Sequence, residues 1–170
     1  MSDERRGPPP AFLVDHMLGR LARWLRACGC DCLWRAAGDD RDPVETALEQ
    51  GRVLLTRNRQ LLRRRRIGPH LLVASDHLER QLLQVLLAYD IDPLAAPLNR
   101  CLRCNSLLQA ATAEQAGNRV PYHVLQAGLP LARCPDCDRF YWPASHAGRM
   151  RRRLEVLRRT WQRERTPPRG

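Results

Sequence analysis

Short apolar runs along the chain alternate with stretches whose apolar residues recur every three or four positions. Ala11-Phe12-Leu13-Val14 is a compact apolar run that ends on Asp15, the pattern of a buried strand. In HMLGRLARWLRACG, Met17, Leu18, Leu21, Ala22 and Leu25 fall on one helical face. Arg20, Arg23 and Arg26 fall mostly opposite, and Gly29 suits the residue just past the helix end. Cys32-Leu33-Trp34 predicts a second strand, and GDDRDP a turn and helix start with Pro43 in the first turn. Residues 43–50 read as a short helix, 52–56 as a third strand and 59–66 as a short helix or basic loop. Residues 70–75 read as a fourth strand. A helix over 77–88 turns Leu78, Leu82, Val85 and Leu86 to the core.

Strand and helix in strict alternation predict an α/β domain with a parallel sheet flanked by helices. Such sheets hold ligands at the carboxyl ends of their strands. Asp15 and Asn58 are expected to share that edge, with Asp39 and Asp40 close by. The Pro-rich stretch DIDPLAAPLNR then breaks the alternation. The C-terminal part differs in kind: two cysteine pairs, a strongly basic helical segment and a PPRG tail.

Composition narrows the partner. The 170 residues carry 29 basic and 18 acidic side chains, a formal charge of +11. That balance favours a polyanion, most simply nucleic acid, over an acidic small molecule. Arg63–Arg66 and the arginines at 149, 151–153, 158 and 159 form two dense tracts suited to phosphate. Every basic residue is Arg; total replacement of Lys fits compositional bias better than a local role. The leader MSDERRGPPP is polar rather than a signal peptide, and no apolar run nears the roughly 18 residues of a membrane span. A cytoplasmic location is expected, where seven cysteines argue for metal or free thiols over disulfides.

Cys101-Leu-Arg-Cys104 and Cys134-Pro-Asp-Cys137 are the sharpest chemical signal. Two CxxC knuckles supply four thiolates for tetrahedral, structural zinc in a ribbon. His123 and His146 are spare alternatives. Cys28, Cys30 and Cys32 read as core thiols. Phe140, Tyr141 and Trp142 read first as packing for the ribbon and second as stacking surfaces for unpaired bases. Carboxylates at a strand edge suit Mg²⁺ or Mn²⁺ and phosphodiester chemistry, although Asp39 and Asp40 serve equally well as helix caps. Asp42 and Glu45 read as first-turn helix acids, and Asp76 as a more remote candidate.

FLVDHMLGRLARWLRACGCD, DD…GRVLLTRNR, RCLRCNSLL and CPDCDRFYWPASH, in that order, resemble the Mut-seven C-terminal RNase domain family over about residues 11–150. The resemblance implies a PIN-like nuclease fold with a C-terminal zinc ribbon and metal-dependent ribonuclease activity. Asp15 matches the first acid and Asp40 the second, while Asn58 stands where the family keeps a third. An amide there can ligate a cation but brings no charge and cannot act as a base. Arg20, Arg26, Arg57, Arg63, Arg64 and Arg65 are the expected RNA-phosphate contacts. RNA is the expected partner, with ribosome or tRNA as narrower candidates. A decayed nuclease acting as an RNA- or ribosome-binding adaptor is the alternative. Some relatives carry an N-terminal ubiquitin-like domain, for which this leader is too short. The expected layout is a flexible leader (1–10), nuclease domain (11–90), linker (91–99), zinc ribbon (100–146), basic helix (147–163) and disordered tail (164–170).

Overall fold

The computed structural model describes residues 9–35, 38, 40–143 and 145–165, with the side chains of 145 and 146 excepted. Most of the expected leader and tail lies outside the described residues. Four strands, β1 (Phe12–Val14), β2 (Cys32–Trp34), β3 (Val53–Thr56) and β4 (His70–Leu72), form a parallel sheet in the order β2-β1-β3-β4. The connecting helices are α1 (Gly19–Ala27), α2 (Pro43–Glu49) and α3 (Leu78–Ala88). This is the parallel sheet flanked by helices that the alternating pattern predicts. Successive residues of β1 and β3 face opposite sides. Phe12, Val14, Val53 and Leu55 join the core under α1 and α3, while Leu13 and Leu54 pack with Val44 and Ala47 of α2.

Local chemistry sets the boundaries. Asp15 caps a 3-10 turn (His16–Leu18) by accepting the Met17 N–H, so the expected helix from 16 becomes fully α-helical only at Gly19. Asp42 caps α2 through the Val44 and Glu45 N–H groups, with Pro43 at the first helical position. Gly29, at φ +87°, ends α1; a Cβ there would also sit 2.4 Å from the Ala96 carbonyl oxygen. That contact belongs to the stretch expected as a linker. The stretch is packed instead: Ile91 is buried, Leu94 and Leu98 lie on the core, and Leu98 N–H bonds the Ala27 carbonyl.

The cysteine-rich part holds a three-stranded antiparallel sheet, β5 (Gln109–Ala111), β6 (Leu131–Arg133) and β7 (Phe140–Tyr141). Two short helices, α4 (Ala113–Ala116) and α5 (Tyr122–Gln126), pack Ala116, Val120 and Val124 with Leu131, Phe140 and Trp142 into its small core. Phe140 and Trp142 thus pack the ribbon core while staying partly exposed.

The last helix, α6 (Ser145–Arg165), runs about 32 Å. It is more than a basic appendage. Met150, Leu154 and Trp161 join the main core, and the Trp161 indole N–H donates to the Leu86 carbonyl at 3.2 Å. Several of its arginines are ion-paired: Arg153 with Glu79, Arg158 with Asp92, Arg165 with Asp90. Among the described residues no helix is long and apolar enough to cross a membrane.

Candidate active site and metal centre

In the strand order, β1 lies between β2 and β3, so the chain leaves β1 to one side and returns on the other. The crevice between the carboxyl ends of β1 and β3 is therefore the switch point where such sheets bind ligands. The β1–β3 register pairs Val14 with Leu55, which brings the next residues, Asp15 and Thr56, side by side. Asp15 is buried, with its Oδ2 accepting the Thr56 hydroxyl at 2.5 Å and the Arg57 N–H at 3.3 Å. Its Oδ1 accepts the Met17 N–H at 3.1 Å. Thr56 Oγ1 in turn accepts the Asn58 N–H at 3.0 Å. Asn58 itself is exposed, and its Oδ1 accepts the Gln60 N–H at 2.9 Å.

The expected site is thus assembled in part. Asp15, Arg57 and Asn58 are joined through Thr56, a residue that the sequence pattern marks only as the end of a strand. Its signal is its place one step beyond the partner of Val14. Asp40 is exposed ahead of α2, with no hydrogen bond to this group among the described residues. Asp39 lies outside the described residues. Arg57 pairs with Asp76, which comes from beyond β4. Asp42, expected as a helix acid, also holds Arg64 across the edge. Burial opposes ionisation of Asp42, but the Arg64 bond and the N–H groups of Glu45 and Val44 outweigh it and lower its pKa. Arg63, Arg65 and Arg66 are exposed beside it, and Arg20 is exposed in the first turn of α1.

Arg26 is a correction. It is buried and donates to three carbonyls: Cys32 at 2.8 Å, Leu102 at 3.1 Å and Arg103 at 2.6 Å. It fastens the first cysteine knuckle to the sheet and does not face a substrate.

A divalent cation fits the acidic edge only in part. Three of the roughly four acceptor positions of Asp15 are taken. Asn58 has one oxygen lone pair left beyond its turn bond. Among the described residues, no group of three acidic or histidine side chains converges there. Mg²⁺ or Mn²⁺ would draw most of its oxygen ligands from water and phosphate.

The cysteines fit a metal fully. The sulfurs of Cys101, Cys104, Cys134 and Cys137 all lie within 4.8 Å of one another. The Cys101–Cys137 and Cys104–Cys134 sulfurs are 3.6 and 3.3 Å apart, near the roughly 3.8 Å edge of a Zn–S tetrahedron. Burial opposes ionisation of Cys101, yet the Tyr141 hydroxyl at 3.1 Å and the knuckle N–H groups bring it down to about 6. Burial and the neighbouring sulfurs push Cys137 up to about 12, so four thiolates without a cation repel one another. His123 is exposed and outside this group; the His146 side chain lies outside the described residues. Cys28, Cys30 and Cys32 are buried core thiols, with burial pushing Cys30 up to about 12.

A polar junction joins the two parts. Asn105, at φ +79° just after Cys104, accepts the Cys32 N–H at 2.9 Å and donates to Asp31 at 2.8 Å. Asp31 also pairs with Arg52 at 2.6 Å, and Arg52 reaches the Phe12 carbonyl at 3.2 Å.

The chain thus combines a parallel α/β sheet that has an acid at its switch point with a module of four cysteines placed to bind a metal. The family model described as the Mut7-C RNAse domain matches residues 10–154, and the chain belongs to that family. No curated protein and no solved structure matches the chain.

Proposed function

We propose that the protein is a metal-dependent ribonuclease that hydrolyses phosphodiester bonds of single-stranded RNA at the carboxyl edge of its parallel sheet. The observation that carries this reading is the buried Asp15 carboxylate at the β1/β3 switch point, held by Thr56 and the Arg57 N–H, in a chain of an RNase domain family. Asp15 and Asp40, with Asp39 in support, supply the negative charge, and Asn58 is a neutral third donor. A bound Mg²⁺ or Mn²⁺ supplies Lewis-acid polarisation of the phosphate and an activated water. Arg20, Arg57, Arg63, Arg64 and Arg65 hold phosphates along the edge, Arg57 and Arg64 by exchanging their present carboxylate partners. Zinc at the four cysteines folds the ribbon, which has no open coordination position for chemistry. A reducing cytoplasm suits those thiolates, and ribosomal RNA or tRNA are the narrower substrates to try first.

The test is Mg²⁺- or Mn²⁺-dependent cleavage of single-stranded RNA by wild type, Asp15→Asn and Asn58→Asp. Cleavage by wild type that Asp15→Asn abolishes is the expected result. Cleavage untouched by Asp15→Asn overturns the site.

A second reading, an RNA- or ribosome-binding adaptor with a decayed site, has one specific observation behind it. Asn58 replaces an acid and turns its oxygen to a local turn, and no acidic cluster closes among the described residues. An inert wild type awakened by Asn58→Asp would favour it.

A further inference from the structure

A large cavity lies away from the acidic edge. This groove of about 840 Å³ opens between α1, the segment after Pro97, the ribbon and α6. Its apolar surface comes from residues such as Leu98, Leu102, Trp142 and Met150. Five arginines line it, Arg23, Arg100, Arg103, Arg139 and Arg151, and no described lining residue is acidic. Arg100 is tied to the Gly29 and Asn105 carbonyls, and Arg151 pairs with Glu155 on its own helix. Arg103 and Arg139 are exposed, with no acidic partner among the described residues. The groove between α3 and α6 differs, since Glu79 and Glu164 there offset its arginines.

We propose that this groove binds an unpaired segment of RNA, with a base against the Trp142–Met150 floor and phosphates on Arg103, Arg139 and Arg151. The RNA identity rests on the ribonuclease reading; the nucleic-acid chemistry rests on the groove. A cleft with an apolar floor and a wholly cationic rim matches a ligand that is both planar-apolar and anionic. A duplex turns its base faces inward and would leave the floor unfilled.

The position of the groove gives it a distinct role. The ribbon is fastened at Asp31 and Cys32, where β2 begins beside the start of β1, whereas Asp15 lies where β1 ends. Groove and acidic edge therefore sit toward opposite ends of the sheet. α1 bridges them: Arg20 in its first turn and Arg23 in the groove wall are three apart and neighbours on the helix surface. RNA held in the groove can follow these arginines to Asp15, so the groove is a holding site remote from the bond to be cut.

The experiment uses the zinc-loaded full chain and a dye-labelled single-stranded oligouridylate. Fluorescence anisotropy compares Arg103→Glu/Arg139→Glu with the control Arg80→Glu/Arg163→Glu, which makes the same charge change on α3 and the last turn of α6. The groove variant should bind at least about tenfold more weakly than the control, with a salt slope shallower by about 1.4, as expected for two lost phosphate contacts on a single strand. If the double variant loses its zinc, Arg151→Glu against Arg163→Glu asks the same question from the helix wall. A 4-thiouridine probe should cross-link to the peptides carrying Trp142 or Met150. Equal weakening of groove and control variants, or cross-links confined to other surfaces, overturns the proposal. A wild type that binds through the groove but cuts nothing overturns the nuclease reading and leaves the groove standing. A wild type that cuts, with groove variants binding as tightly as the control, overturns the groove alone.

Discussion

The Thr56 hydroxyl donates to the Asp15 carboxylate at 2.5 Å while accepting the Asn58 N–H, so one buried oxygen couples Asp15 to Asn58. Thr56→Val keeps the shape and removes both bonds. It leaves a buried carboxylate oxygen one donor short and the Asn58 N–H without its acceptor. A loss of about 1–3 kcal/mol is expected in urea unfolding. A drop in RNA cleavage should accompany it and persist where the variant remains folded. Unchanged cleavage would show that the Asp15 orientation does not matter to the chemistry.

Asn58→Asp adds a charge beside the hydroxyl that holds Asp15 and can keep the bond to Gln60 N–H. Binding of Mn²⁺ at the acidic edge, followed by titration calorimetry on zinc-loaded protein, should tighten by about tenfold or more. The same affinity in both proteins would place the cation away from Asn58.

Arg26→Ala should cost about 3 kcal/mol, since it strips three part-buried or buried carbonyls of a charged donor. Chelation of the knuckle metal should loosen the same interface from the other side. Hydrogen exchange should report both perturbations at Cys32 and at Asn105, where the strand meets the knuckle.

How much of this could be read from the chain varied with the signal. The strands and helices of the sheet follow the apolar pattern because burial on both faces writes continuous runs such as FLV and VLL into the sequence. The four-cysteine cluster was legible because CxxC spacing is itself the geometry of the site. Arg26 misled, because its position on a basic helix says nothing of the knuckle carbonyls that meet it after folding. α6 misled for a related reason. Met150, Leu154, Leu157 and Trp161 make a helical stripe, but it is masked by the arginines between them. Asp40 and Asn58 were placed at the edge by pattern, yet the loop conformations that set their distance from Asp15 leave no periodic trace.

Asp31 gives a pH signature. Burial opposes its ionisation, but bonds from Arg52 and Asn105 outweigh this and hold its folded pKa below the ordinary carboxylate value. A depressed carboxyl stabilises the fold above its unfolded pKa and loses that contribution as pH falls through the folded value. Asp31→Asn should therefore be less stable than wild type at neutral pH. The gap should narrow as pH drops below about 4 in an acid titration followed by circular dichroism. A gap independent of pH would assign the loss to packing.

Trp161→Ala should destabilise the whole α/β body, not only the helix that carries it, by about 3–5 kcal/mol in denaturant unfolding. Near-complete loss of α6 with an intact sheet would show that the sheet core closes without it.

The stitching of α6 into the body has a consequence for the protein during its own synthesis. Phe12 and Val14 enter the core from its first strand, but Leu154 and Trp161, which complete it, follow much later in the chain. A nascent chain emerging from the ribosome can pair its strands early, yet it lacks the lid of the core until α6 has been made. The sheet edge that carries Asp15 therefore rests on an incomplete core until α6 has left the ribosome and packed.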